Sequence, residues 1–213
     1  MKGNTKMDRV RIYIVMILAL SFVSAVACKK EEQPSGKTGG QLPNAYSNES
    51  VFDEVKKELQ KNPNDVDALY HLADLYDRNF QYSEAVDTYK KVIKLKPDMG
   101  YAYFKMGTAY DRINQPEEAV KTFKKAIKYM PKYAVLYNNM GIAYGKLGKP
   151  DDEITALKNA IKLRPSYSSG RYNLGITYLR MRNKKGAMQE YEALKMFDEG
   201  AAEALLKEIK ATS

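Results

Sequence analysis

The chain has 213 residues, 44% of them apolar, which is enough for a packed core and too many for a disordered tail. Charged residues make up 29%, and the formal net charge of +9 divides by region. The first 28 residues hold +3, residues 29–48 hold +1, and the remainder sets 28 basic against 23 acidic side chains, a mild excess that argues against nucleic acid as the partner.

Arg11 closes a short basic segment and is followed by sixteen uncharged residues, Ile12 to Ala27, and then by Cys28. This pattern predicts a secretory leader over residues 1–27. As a helix the run spans about 24 Å at about 1.5 Å per residue, short of the roughly 30 Å hydrocarbon core, so a retained membrane span is the alternative. Cys28 is the only cysteine and has no intramolecular disulfide partner. The stretch Ser24-Ala25-Val26-Ala27-Cys28 resembles the lipobox of bacterial lipoproteins, with Ala25 where leucine is usual. The resemblance implies acylation of Cys28 and a lipid-anchored, periplasm-facing protein of the bacterial cell envelope, because several acyl chains hold a protein at a bilayer essentially permanently. Lys29, where an aspartate would signal otherwise, points by the same resemblance to the outer membrane. Ordinary cleavage after Ala27 is the competing reading and leaves a soluble periplasmic or secreted protein. Residues 28–48 are polar and rich in Gly, Pro and Ser, and predict a lipid-anchored flexible linker. Its Gly36-Lys37-Thr38 is not a phosphate loop, since Glu31 occupies the place of the upstream glycine that motif needs.

Residues 49–62 follow, with Val51, Phe52, Val55 and Leu59 on one helical face, and predict a helix that caps what comes next. Over residues 63–199 the chain repeats. Pro63, Pro97, Pro131 and Pro165 are each 34 apart, and so are Tyr76, Tyr110, Tyr144 and Tyr178. Ala73, Gly107, Gly141 and Gly175 form a third column, and Leu72, Met106, Met140 and Leu174 a fourth. The copies run over about 64–97, 98–131, 132–165 and 166–199. In the first, Leu69, Leu72, Ala73 and Tyr76 recur at i, i+3, i+4 and i+7, the stripe of an amphipathic helix. A second stripe, Ala85, Val86, Tyr89, Val92 and Ile93, stops before Pro97, whose ring opposes a continuing helix. Pro116 and Pro150 suit the first turn of the second helix in their copies. Each copy is thus read as a helical hairpin.

Small residues are expected where backbones approach most closely: Ala73 against Ala85, Gly107 against Ala119, Gly175 against Ala187. Tyr89, Phe123, Leu157 and Tyr191 are expected to fill the spaces between hairpins. One hairpin cannot bury both faces, so neighbours stack. Residues 200–213, with the stretch "AAEALLKEIK", predict a second capping helix. In the third copy Glu153 stands where the others have Ala85, Ala119 or Ala187. A carboxylate there must escape a tight crossing or stay buried at a cost, and with Gly145 and Gly148 nearby this hairpin is expected to be the loosest.

These columns, from Val66 to about Glu199, resemble the tetratricopeptide repeat family. The resemblance implies an all-α, right-handed α-solenoid of four helix-turn-helix hairpins, closed at both ends by the capping helices. It also implies a non-enzymatic scaffold whose first helices line a concave groove that holds a peptide or a partner's helix. The residues expected on that face are Tyr70, His71 and Asp74; Tyr101, Phe104 and Lys105; Asn138 and Asn139; and Tyr172 and Asn173. Asparagine amides both donate and accept, so such a row can pair with a peptide backbone without reading its sequence. The family's carboxylate clamp is not matched, since Tyr70, Asp74 and Phe104 stand where its polar groups belong.

Catalytic chemistry finds no footing. The single histidine, His71, and the single cysteine exclude a Cys/His pair and a His/Cys metal cluster. Glu117, Glu118, Asp151 and Asp152 sit at helix starts, where the helix dipole explains them. Ser166, Ser168 and Ser169 read as a cap or turn before the fourth copy. No catalytic residue, metal, cofactor, nucleic acid or small-molecule substrate is assigned. The expected partner is another envelope protein, in the assembly of an envelope complex, with the membrane reached through the lipid anchor. The alternative is an accessory that recruits a peptidoglycan or polysaccharide enzyme and touches glycan weakly through its tyrosines.

Overall fold

A computed structural model describes residues 48–212. The leader 1–27, Cys28 and the linker up to residue 47 lie outside the described residues. Among those described, the chain forms helices and no strand. Helix α1 (Asn48–Lys61) is followed by four hairpins: α2 (Val66–Arg78) with α3 (Tyr82–Leu95), α4 (Gly100–Arg112) with α5 (Pro116–Tyr129), α6 (Ala134–Lys146) with α7 (Pro150–Leu163), and α8 (Ser168–Arg180) with α9 (Lys184–Leu194). Helix α10 (Glu199–Ala211) ends the series.

Local chemistry sets these boundaries. Pro116 and Pro150 begin α5 and α7, where a missing N–H breaks no helical bond. Helices α3, α5 and α7 stop two residues before Pro97, Pro131 and Pro165. Asp65 caps α2 by accepting from the N–H groups of Asp67 and Ala68, at 3.1 and 3.0 Å. Asn183 and Asp198 cap α9 and α10 in the same way. The serines before the fourth copy do not cap α8: Tyr167 holds that position without a side-chain bond, and Ser168 is already the first helical residue.

The turn inside each hairpin repeats as well. Phe80, Asn114, Gly148 and Arg182 have φ of 61°, 58°, 66° and 59° and lie 34 residues apart. The N–H of the following residue returns to the carbonyl of the tyrosine column, at 2.9 Å for Gln81 to Tyr76 and 2.8 Å for Asn183 to Tyr178. The left-handed residue itself donates to the carbonyl three before it. This is the Schellman arrangement, which satisfies the last carbonyls of a helix and turns the chain sharply.

Tyr89, Phe123 and Leu157 are fully buried, as a column between packed helices should be. The nearest neighbours of Gly107 and Gly141 come from this column. A Cβ on Gly107 would stand 2.6 Å from the Phe123 ring, and one on Gly141 would stand 2.9 Å from Leu157. Gly175 faces Leu205 of α10 at 2.5 Å, so the fourth glycine makes room for the capping helix. Leu205, Ile209 and Ala202 bury themselves there. At the other end Val55 packs with Ala68 and Leu72, and the Phe52 ring lies 5.2 Å from Tyr76. Both terminal helices thereby close an apolar face that the outer hairpins would otherwise expose.

Candidate functional site

The first helices α2, α4, α6 and α8 present one side chain row after another along the stack, and three ion-pair links tie neighbouring hairpins together. Asp74 on α2 accepts from Arg78 Nε at 2.7 Å and from Lys105 Nζ of α4 at 2.9 Å, while Lys105 also reaches Asp77 at 3.4 Å. Burial works against the Lys105 charge, but the hydrogen bond and proximity of Asp74, with Asp77 beside it, outweigh burial and raise its pKa. Asp111 on α4 places Oδ1 2.7 Å from Lys146 Nζ of α6, and the same ammonium donates to the Asp111 carbonyl at 2.9 Å. The third link joins Glu153 on α7 to Arg180 and Thr177 on α8, with the Thr177 hydroxyl donating at 2.7 Å.

That third link decides between the two outcomes open to Glu153, which stays buried. The residue is 6% exposed and its carboxylate is paired, so it neither escapes to water nor lies unpaired. It takes the place where Gly145 lacks a side chain, since a Cβ there would stand 2.8 Å from Glu153 Oε1. The misfit in the alanine column is a cross-hairpin clamp.

The expected groove residues divide. Tyr101 is 43% exposed and its ring lies 5.6 Å from Phe104 and 6.0 Å from Tyr133. Phe104 is buried between Phe123 at 6.4 Å and Tyr133 at 5.1 Å, which makes it a core residue. Tyr70 is half-buried 5.8 Å from Tyr89, and burial pushes its hydroxyl above the usual range. His71 is exposed. Asp74 and Lys105 are occupied by their ion pairs. Tyr172 is half-buried and leans on the cluster that seats α10. Asn138 is 4% exposed; it donates to Asn139 Oδ1 at 3.3 Å and accepts from Asn173 Nδ2 at 2.9 Å. The asparagines therefore form a ladder between α6 and α8, in which Asn138 is spent on the protein itself while Asn139 and Asn173 stay partly exposed.

Beside this ladder a recess of about 350 Å³ opens, lined by Ile142, Gly145, Lys146, Asn173, Ile176 and Arg180 with Glu153 at its floor. Ile142 is 37% exposed. Among the described residues no three His, Cys, Asp or Glu side chains converge on a metal-sized centre.

Sequence reasoning missed Asp77, Asp111, Thr177 and Tyr133. Asp77 and Asp111 are 34 apart, so the signal was present in the sequence. Tyr133 sits in the turn before α6, outside any helical period. Its hydroxyl is pushed up to about 12, first by burial and then by its hydrogen bond with Tyr101.

Three family models match the chain: one described as TPR repeat over residues 112–148, and two described as tetratricopeptide repeat over 66–99 and 138–204. Among solved structures the chain is similar to the MamA protein of Desulfovibrio magneticus RS-1, at 24% identity over 71% of this chain and 86% of that one, with a TM-score of 0.69. It is similar to YrrB, described as a TPR protein with an unusual peptide-binding site, at 20% identity over 75% and 84%, with a TM-score of 0.66. A thermophilic TPR protein of Thermus thermophilus aligns at 24% identity over 78% and 90%, with a TM-score of 0.59. No curated protein matches by sequence. At these identities the likeness shows the fold, an α-solenoid of stacked hairpins.

Proposed function

We propose that this chain, a tetratricopeptide repeat protein, is a non-enzymatic scaffold that holds a partner's peptide or helix along the face of its first helices. Proteins of this family generally serve protein–protein interaction, and a neighbour of the same fold is described as peptide-binding. The observation that carries the reading is the recess between α6 and α8. Exposed Ile142 and half-exposed Ile176 offer apolar contact, and Asn173 keeps an amide group beside them. An extended chain needs both, since its backbone hydrogen-bonds to amides while alternate side chains seek apolar surface. Tyr101 extends the strip toward α4, where a rigid, partly exposed aromatic is a favourable anchor.

In the same reading the leader is removed, Cys28 is acylated, and the repeats work in the bacterial cell envelope facing the periplasm, in the assembly of an envelope complex at the outer membrane. Two experiments test the two halves separately. Cross-linking and capture from solubilised envelopes should lose the principal partner in a chain carrying Tyr101→Ser and Ile142→Asp. Identical partners for the wild type and this variant would remove the recess from the account. Labelling with a radioactive fatty acid should mark the wild type and not Cys28→Ser; label retained by the variant, or absent from both, defeats the anchor alone.

A further inference from the structure

The second helices of the first three hairpins share a charge pattern that the recess does not use and that packing uses only in part, where Lys90, Lys124 and Arg164 lie over the rings of Tyr110, Tyr144 and Tyr167. Residues 88–97, 119–132 and 154–165 hold eleven lysines, one arginine and no aspartate or glutamate. All twelve cations are exposed. Among the described residues only Lys90 and Lys121 meet a carboxylate, Asp87 at 3.0 Å and Glu118 at 3.5 Å.

The same three segments end on exposed apolar side chains. Leu95, Tyr129 and Leu163 close α3, α5 and α7 at 41%, 46% and 39% exposure, 34 residues apart. Phe197, at 49%, continues the column beyond α9. Each of the first three stands in a turn flanked by cations, as Lys94-Leu95-Lys96, Lys128-Tyr129 and Lys162-Leu163-Arg164. In a stack of like hairpins equivalent positions fall along one edge. That edge therefore carries an apolar residue and at least one cation per repeat. The helix dipole accounts for a lysine in the last turn; it accounts neither for whole half-helices without an acid nor for a partly exposed apolar column, in which Tyr129 stacks on Tyr103 at 5.9 Å on one face only.

We infer that this edge lies against an anionic bilayer surface. Lysine stems lie along apolar surface while their ammonium groups reach lipid phosphates, and leucine and aromatic side chains settle at the headgroup boundary. The cations that flank the column, Lys94, Lys96, Lys128, Lys162 and Arg164, complement a surface that is uniformly negative. A folded acidic protein is a poorer fit, because one apolar side chain per repeat makes no cluster that a partner's core could fill. Nucleic acid is a poorer fit too, because lysines predominate over the planar forks that recognise phosphate and base edges bidentately. The inference does not depend on the recess or on acylation of Cys28.

The test is flotation of the full chain with vesicles of phosphatidylglycerol and, separately, of phosphatidylcholine. Binding should be stronger to phosphatidylglycerol and should weaken as salt is added. The wild type and every variant carry Cys28→Ser in this comparison, so no acyl chain holds any of them at the bilayer and the differences between them isolate the edge. Replacing Lys94, Lys96, Lys128 and Lys162 by glutamine should lower partitioning to phosphatidylglycerol on the order of 100-fold. Replacing Leu95, Tyr129 and Leu163 by serine should lower it about tenfold and keep the salt dependence. All seven side chains are exposed, and unchanged helix content by circular dichroism confirms that each variant is folded. Equal binding of the wild type to both vesicles would overturn the inference, as would a glutamine variant that binds like the wild type. Duplex DNA or polyglutamate displacing the chain from phosphatidylglycerol at a lower charge concentration than the lipid would assign the edge to another partner and overturn it too.

Discussion

Glu153 is a single side chain at odds with its column, and its surroundings explain how the protein tolerates it. Ala85, Ala119 and Ala187 hold the equivalent places, fully buried. A carboxylate fits only because Gly145 leaves a gap and because Thr177 and Arg180 reach it from α8. The two charges are not equally trapped: the Glu153 side chain is 7% exposed and that of Arg180 is 52% exposed. Removing the arginine strands a buried carboxylate with one hydroxyl donor. Removing the carboxylate leaves an arginine free to turn to water and a threonine whose hydroxyl can turn its one proton to the Asn173 carbonyl, 2.8 Å away. The costs should therefore be unequal, about 3 kcal/mol for Arg180→Ala and about 1 kcal/mol for Glu153→Ala. Adding Glu153→Ala to Arg180→Ala should restore stability, because the stranded charge is gone. Urea unfolding of the three variants measures this, and a double variant less stable than Arg180→Ala would show that the pair is not the unit described.

At the scale of the element, the turn inside each hairpin imposes one backbone conformation on four different residues. Only Gly148 adopts a positive φ without cost and Asn114 adopts it with little, whereas Phe80 and Arg182 bear the steric penalty of a Cβ in that region. The Phe80 ring is 78% exposed and touches Tyr82 edge-on at 6.2 Å, so little packing holds it there. Phe80→Gly should stabilise the protein by about 0.5 kcal/mol, and Gly148→Ala should destabilise it by about 1 kcal/mol. Opposite shifts of the denaturant midpoint check both. These turns also mark what a sequence displays and what it conceals. The proline, tyrosine and glycine columns were legible because one residue type recurs under one constraint. Phe80, Asn114, Gly148 and Arg182 share no chemistry, and their common geometry is dictated by carbonyls of the preceding helix that need donors. The face of the first helices was legible as a face, but its free residues were not. Phe104 sits at a groove position by period and is buried because Tyr133, from a turn, closes over it. Asn138 is withdrawn by a partner 35 residues away, which no local pattern contains.

Across the whole stack, from Tyr70 and Tyr89 to Tyr167 and Tyr172, burial raises tyrosine hydroxyls above their usual range, and this makes the molecule sensitive to alkali. Tyr89 in the first hairpin has its hydroxyl pushed well above the usual range by burial, and Tyr133 at the junction of the second and third is pushed up to about 12. Lys105, which ties α4 to α2, is raised by its two aspartates against the opposing effect of burial. All three hold their protons more tightly folded than unfolded, where tyrosine and lysine titrate near pH 10. Below that pH their contribution is complete. As pH rises the unfolded chain releases these protons first, so stability falls, and it goes on falling until the folded groups titrate as well. The urea midpoint should therefore drop between about pH 10 and pH 12, and less steeply in Tyr133→Phe, which has no hydroxyl there to ionise. Neighbouring hairpins stabilise one another through nearest contacts, so loss at one junction propagates along the array. Tyrosinate absorbance from the buried rings should then appear together with loss of helical circular dichroism. If all the tyrosines ionised while the helices persisted, burial would not be what holds those protons, and the first hairpins would have to be more open to water than their packing allows.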